Sequence, residues 1–290
     1  SEDAEITMEA NPGTVSLEQM KLCRKAGINR ISLGLQSTVQ QELEILGRIH
    51  TYKEFLQSYH WAREARFSNI NVDLMFAIPG QTCESWKHNL ETVAELSPEH
   101  ISAYSLIIEE GTPFARKKLI LPNEDEEYQM YEDTAEILRK YGFHQYEISN
   151  YARDSFECRH NKGYWQRTEY LGIGLGAASL FQEKRFSNTC DMAKYLSDST
   201  DPEKIREDVV ELTENNKMEE FMFLGLRMTE GISERQFERN FGCRIEDIYG
   251  SVLAKYKEMD LLEHAGEFWR FTRKGIHVSN PVLADFLLDE

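Results

Sequence analysis

Residues 69–82 read NINVDLMFAIPGQT, and the alternation inside this stretch decides the fold. Ile70, Val72, Leu74, Phe76 and Ile78 fall on one face; Asn71, Asp73, Met75 and Ala77 fall on the other. A period of two is a strand, and Pro79-Gly80 ends it. Thr82 then caps a helix through Trp86, Leu90, Val93 and Leu96. A strand running directly into an amphipathic helix is half of a βαβ unit. Asp73 is out of place in it. A carboxylate in a strand flanked by helices is costly unless something pairs with it. Either a neighbouring Arg or amide satisfies it, or that face holds a polar ligand.

The pattern repeats on both sides. EITMEAN (Glu5 to Asn11) alternates and ends at Pro12-Gly13; Ser16 and Gln19 form a capping box for the next helix, and Gly27 stops it. RISLGLQ (Arg30 to Gln36) places Ile31, Leu33 and Leu35 opposite Ser32, Gly34 and Gln36. A short helix over Gln40 to Leu46 follows, then one capped by Thr51 and Glu54. HISAYSLII (His100 to Ile108) is a fourth strand, Asn123 caps a charged helix to Tyr141, and HQYEIS (His144 to Ser149) is a fifth strand. Five strand–helix units argue for an α/β fold with a parallel sheet. Strands buried on both faces read as continuous apolar runs, but these carry one polar face: Thr7, Glu9, Ser32, Gln36, Asn71, Asp73, Gln145 and Glu147. A (β/α) barrel with a polar lumen, able to hold a charged ligand, fits better than an open doubly wound sheet.

Beyond Tyr151 the character changes. Residues 158–180 read CRHNKGYWQRTEYLGIGLGAASL. Gly172, Gly174 and Gly176 have the wrong spacing for a dinucleotide loop and read as a glycine-rich strand with close backbone approach. His160 lies in a loop, and a lone loop His is usually solvated or hydrogen-bonded. From Pro202 a charged linker leads to helices over 217–228, 233–241 and 244–262, a hairpin over 263–272 and a last helix over 280–288. Three helices and a wing resemble a winged-helix module. The candidate recognition helix is poor in basic residues, so it reads as a packing or lid domain. The expected division is 1–200 for the barrel and 201–290 for the C-terminal domain.

The chain has 290 residues with a net charge of −17. Phosphate neutralisation needs clustered Lys and Arg, so nucleic acid is excluded as a broad-face partner, and peripheral membrane contact has no signal. No apolar run reaches bilayer length and no leader is visible. Five scattered cysteines (23, 83, 158, 190 and 243) form no CxxC pair, which points to a reduced, cytoplasmic protein.

MEANPGT (Met8 to Thr14), RISLGLQS (Arg30 to Ser37), LGRIH (Leu46 to His50), NVDLMFAIPGQT and HISAYSLIIEEGTPF together resemble the radical S-adenosylmethionine family of oxygen-independent coproporphyrinogen oxidases. HNKGYW (His160 to Trp165), YLGIGLGA and RFTRKGIHVSNPVLADFL resemble its haem-chaperone branch. The resemblance implies a partial radical-SAM (TIM-like) barrel. It also implies that Glu9, Gln36, Arg48 and Asp73 hold S-adenosylmethionine: carboxylates suit its sulfonium and amino groups, and Arg48 its carboxylate. It makes His160 a haem ligand, with Cys158 as the competing one, and an unidentified haem-acceptor protein the partner. The alternative is radical decarboxylation of porphyrinogen propionates, a coproporphyrinogen dehydrogenase activity in porphyrin biosynthesis; a pure interaction fragment is a third reading.

The family's CxxxCxxC, which supplies three thiolates to a [4Fe–4S] cluster, does not occur in these 290 residues. The first strand here corresponds to the family's third, so the barrel is expected to be N-terminally truncated. Anaerobic reconstitution of this chain with iron and sulfide is accordingly expected to leave it without a stoichiometric cluster. About four irons per chain with cluster absorption would contradict this.

Overall fold

The computed structural model describes residues 3–112, 114–117 and 119–288; Pro113 of the EEGTPF segment lies outside them. The chain divides into two compact units, Ser1–Cys158 and Arg159–Glu290, a division that falls after Cys158 rather than near residue 200.

The first unit contains β1 (Thr7–Ala10), α1 (Leu17–Lys25), β2 (Arg30–Gln36), α2 (Gln40–Ile45), α3 (Tyr52–Glu64), β3 (Ile70–Phe76), α4 (Cys83–Glu95), β4 (His100–Ser105), α5 (Glu124–Lys140), β5 (His144–Gln145) and β6 (Asn150–Ala152). The sheet order is β1-β2-β3-β4-β6-β5. β1 to β4 are parallel. The expected fifth parallel strand is corrected: β6 runs antiparallel to β4, and β5 antiparallel to β6. Residues 146–149 turn the chain back instead of extending it. There Glu147, 1% exposed, accepts from the Ser149 N–H and the Asn150 amide.

The helices form where capping dictates. Ser16, Thr51 and Asn123 each close a capping box with Gln19, Glu54 and Glu126, satisfying amide donors that the first turn leaves free. The apolar face of the sheet (Ile31, Leu33, Leu35, Ile70, Val72, Leu74, Ile101) is buried against Met20 of α1, Phe55 and Tyr59 of α3, Trp86 and Leu90 of α4 and Leu138 of α5. Burial of each such side chain contributes about 1.5–3 kcal/mol. The opposite face is polar, as its sequence requires.

Loops at the C-terminal ends of β2 and β3 are tied to one buried carboxylate. Glu42 of α2, 5% exposed, accepts from Ser37 Oγ at 2.5 Å, Gln81 Nε2 at 2.9 Å, Asn89 Nδ2 at 3.2 Å and Ser85 Oγ at 2.5 Å. Asn89 Oδ1 in turn accepts from the Thr38 N–H and hydroxyl. Four neutral donors around one carboxylate meet the requirement that a buried charge be hydrogen-bonded.

The second unit contains α6 (Arg159–Trp165), β7 (Ala178–Phe181), β8 (Lys184–Asn188), α7 (Met192–Asp198), α8 (Pro202–Ile205), β9 (Arg206–Glu211), α9 (Glu214–Gly225), β10 (Ile232–Ser233), α10 (Glu234–Phe241), α11 (Ile245–Glu258), β11 (Leu262–Ala265), β12 (Phe268–Phe271), α12 (Arg273–His277) and α13 (Ser279–Ala284). β7-β8-β9 is an antiparallel sheet. The charged segment after Pro202 is therefore a strand and not a linker. Lys184 and Lys194 pair with Glu211 and Glu207 along it, which a helix-or-linker reading of charge density misses. The winged-helix pattern holds over α9 to β12. Phe237, Ile245, Tyr249, Leu253, Leu262, Phe271 and Phe286 form its core, and Gly242, at φ 70°, ends α10 as its position suggests.

Replacing Glu42 with Ala takes the acceptor from the buried Gln81 amide and from one Asn89 N–H, and leaves the Ser37 hydroxyl only Asn89 Oδ1 at 3.1 Å. The expected loss is about 2–4 kcal/mol in denaturant unfolding, with Glu42→Gln less damaging. A loss below about 1 kcal/mol would show that the loops are held elsewhere.

Candidate functional site

The inner face of β1 to β4 is built in rows. Register aligns Glu9 with Ser32, Ser32 with Asn71, and Asn71 with His100; the next row aligns Gly34 with Asp73 and Asp73 with Ser102. Ser32 Oγ donates to Asp73 Oδ2 at 2.8 Å, and Asn71 Nδ2 lies 2.7 Å from both Ser32 Oγ and Asp73 Oδ1. Asp73 is therefore satisfied by a hydroxyl and an amide, not by a cation. His100 Nδ1 donates to Asn71 Oδ1 at 2.6 Å, and its Nε2 accepts from Tyr146 Oη at 2.8 Å. Burial, then the Arg30 guanidinium, holds His100 well below its usual pKa, so the ring is neutral, as this donor–acceptor pattern requires.

One turn further along, β2 ends irregularly. The register shifts between Gly34 and Gln36, and Gln36 takes φ 72°. That left-handed conformation costs a non-glycine residue roughly 1–2 kcal/mol, and such strain concentrates at working sites. Gln36 is 3% exposed and its Oε1 accepts from Tyr104 Oη at 2.9 Å. A Cβ on Gly34 would lie 3.1 Å from Gln36 Nε2 and 3.6 Å from Asn11 Oδ1, so the glycine leaves the room these two amides occupy. Asn11 Oδ1 receives Arg48 Nη1 at 3.0 Å. Glu9 is exposed on β1.

Tyr104 joins these groups. Its hydroxyl is pushed up to about 12, first by burial and then by the Asp73 carboxylate; the Gln36 hydrogen bond and the Arg48 charge oppose this, and Glu9 adds to it. Glu9, Gln36, Arg48 and Asp73 therefore all influence one phenol, Gln36 through a direct hydrogen bond and the other three through their charges. Tyr104 is not among the residues the sequence singles out. Its period-two relation to His100 and Ser102 was the available signal. Gln145 instead turns to Tyr131 Oη and the Ile148 carbonyl.

His160 is not in a loop, as expected, but in the first turn of α6. It is exposed, forms no hydrogen bond or ion pair with the described residues, and meets Tyr164 edge-on at 4.5 Å between ring centroids. Tyr164 meets Tyr170 at 4.7 Å. Trp165 carries the Arg227 guanidinium over its ring at 5.2 Å. Cys158 is 3% exposed, its N–H on Tyr146 Oη. Among the described residues no group of three or more His, Cys, Asp or Glu could hold a metal ion, and no helix is long and apolar enough to cross a membrane.

Residues 1–93 match the Radical SAM superfamily and residues 212–278 the HemN C-terminal domain. The fold is similar to that of the coproporphyrinogen III oxidase HemN of Escherichia coli, with a TM-score of 0.85 at 21% identity over 99% of this chain and 70% of that one. Fold and matched domains together define a radical-SAM protein of the HemN type. The chain is 38% identical to the heme chaperone HemW of Lactococcus lactis over 99% of its own length and 76% of the relative's. It is 36% identical to that of Bacillus subtilis over 99% and 77%. It belongs to the HemW family.

Because the pKa of His100 in the fold lies well below 6.5, the unfolded chain takes up that proton first. The stabilisation is complete above about pH 6.5 and drains as the pH falls below it. His100→Asn is expected to flatten the acid limb of stability between about pH 6.5 and 5, where the parent loses up to about 1.4 kcal/mol per pH unit from this group. Parallel denaturant midpoints in the two proteins across that range would contradict it.

Proposed function

We propose that this chain is a haem chaperone that holds haem iron through His160 and passes it to an acceptor protein. The observation that carries the reading is an exposed imidazole with both nitrogens unengaged among the described residues, flanked edge-on by Tyr164, in a chain of the HemW family. Neutral imidazole is a good axial ligand for iron, and Tyr164 offers apolar area beside a porphyrin. Burial disfavours Cys158 as the ligand. The five free cysteines accord with a reducing cytoplasm.

The inner face suits S-adenosylmethionine. Glu9 and Asp73 offer negative charge to its sulfonium and ammonium groups, Arg48 pairs with its carboxylate, and Gln36, fixed by Tyr104, supplies an amide. When bound with a [4Fe–4S] cluster, S-adenosylmethionine is a source of radical chemistry. The described residues offer no seat for such a cluster, and no step through it is assigned to them. What these residues do is bind and orient. Ser32 and Asn71 fix the Asp73 carboxylate, and Asn11 steadies Arg48.

Titration with haem is expected to give a histidine-ligated Soret band that His160→Ala abolishes and Cys158→Ser leaves intact. The reverse pattern would make the thiolate the ligand. For the inner face, Asp73→Ala is expected to weaken S-adenosylmethionine binding in the family's full-length protein by roughly tenfold or more, the scale of a lost charge-assisted contact. The loss in binding free energy should exceed the loss in unfolding free energy. Unchanged calorimetric affinity beside a large loss of stability would make Asp73 purely structural.

A further inference from the structure

The glycine-rich segment after Tyr170 remains unused by the reading above. It is not the strand its sequence suggests but the loop of a hairpin closed by Tyr170 and Leu180, which exchange backbone hydrogen bonds. The loop is braced from within. Asn188, 7% exposed, donates from Nδ2 to the carbonyls of Gly172 at 3.2 Å and Gly174 at 2.8 Å. The Gly172 N–H donates to Ser179 Oγ at 3.0 Å and the Gly176 N–H to the Thr189 carbonyl at 3.1 Å. Gly172 cannot be replaced, since a Cβ there would lie 2.2 Å from the Ala178 carbonyl oxygen.

This bracing presents three aliphatic side chains to solvent: Leu171 is 56% exposed, Ile173 91% and Leu175 40%. The residues between them are glycines, so no polar side chain interrupts the row. Tyr170 to Gln182 carries no charge in a chain whose charged content is 29%. A fixed, uncharged, aliphatic row in water is an interaction surface. What covers it follows from where it starts. Tyr170, the residue before Leu171, meets Tyr164, and Tyr164 meets His160, so the loop springs from the aromatic cluster beside the imidazole.

We infer that Leu171, Ile173 and Leu175 form an apolar platform for the face of a porphyrin macrocycle whose iron His160 holds. The inference rests on the haem reading of His160 but concerns a different part of the ligand. The loop reads the tetrapyrrole, with or without metal, and the imidazole reads the iron. The test uses the whole chain, with haem and iron-free protoporphyrin as separate probes, against the Ile173→Ser/Leu175→Ser double variant and His160→Ala. Both loop positions are solvent-facing, so the double variant is expected to fold.

The platform predicts that the double variant binds both probes about 10- to 100-fold more weakly, the scale of exposing one or two aliphatic side chains. His160→Ala should lose the histidine-ligated spectrum yet keep its affinity for protoporphyrin. If the double variant binds protoporphyrin like the parent, or the parent does not bind it at all, the platform is refuted and the loop is left to a protein partner. If the double variant weakens both probes while His160→Ala keeps the Soret band, the platform stands and the iron ligand of the proposed function falls.

Discussion

A single carboxamide holds the polar face of the first unit together. Asn71, 2% exposed, donates to Ser32 and Asp73 and accepts from His100 and Ser102. These bonds span three neighbouring strands. Parallel strands covered by helices on one side must still satisfy polar groups on the other, and each group left unpaired would cost about 1–3 kcal/mol. Asn71 meets that requirement with one side chain. It fixes the neutral tautomer of His100, and it turns the Asp73 carboxylate into a defined acceptor without a cation to neutralise it.

That choice has consequences for ligand chemistry. A carboxylate paired with Arg would already be neutralised and would have little left to offer a positively charged group. Asp73 is held by a hydroxyl and an amide and by no cation. Arg48 is treated in a matching way, since it rests on the Asn11 amide oxygen and not on an acid. Both charges thus rest on neutral partners, a hydroxyl and amides. Glu42 does the corresponding work for the loops, anchoring the segment between Gln36 and Arg48 to Gln81 and Asn89.

The second unit uses a different economy. A buried glutamate, Glu220, receives both Arg167 and Arg185, linking α9 to the segments on either side of the glycine-rich hairpin loop. The exposed imidazole on α6 and the exposed aliphatic row on that loop therefore project from braced elements. Exposure there comes with order.

Local sequence by itself determined the four parallel strands of the first unit, their apolar and polar faces, the capped helix starts and the hairpin wing. Each of these depends on spacing within one element, and periodicity reports spacing directly. The same periodicity assigns Glu9, Gln36 and Asp73 to one polar face. Tertiary structure alone decided that β6 and β5 turn antiparallel, that residues 206–211 form a strand, and that residues 171–176 form a loop. Strand direction and pairing are set by partners far away in the chain, here β4 for β6 and β8 for β9. Tyr104 belongs with these. Its own segment gives only its face, by the period-two relation to His100 and Ser102; its role arises because β2, across β3, delivers a left-handed Gln36 within hydrogen-bonding distance of its hydroxyl.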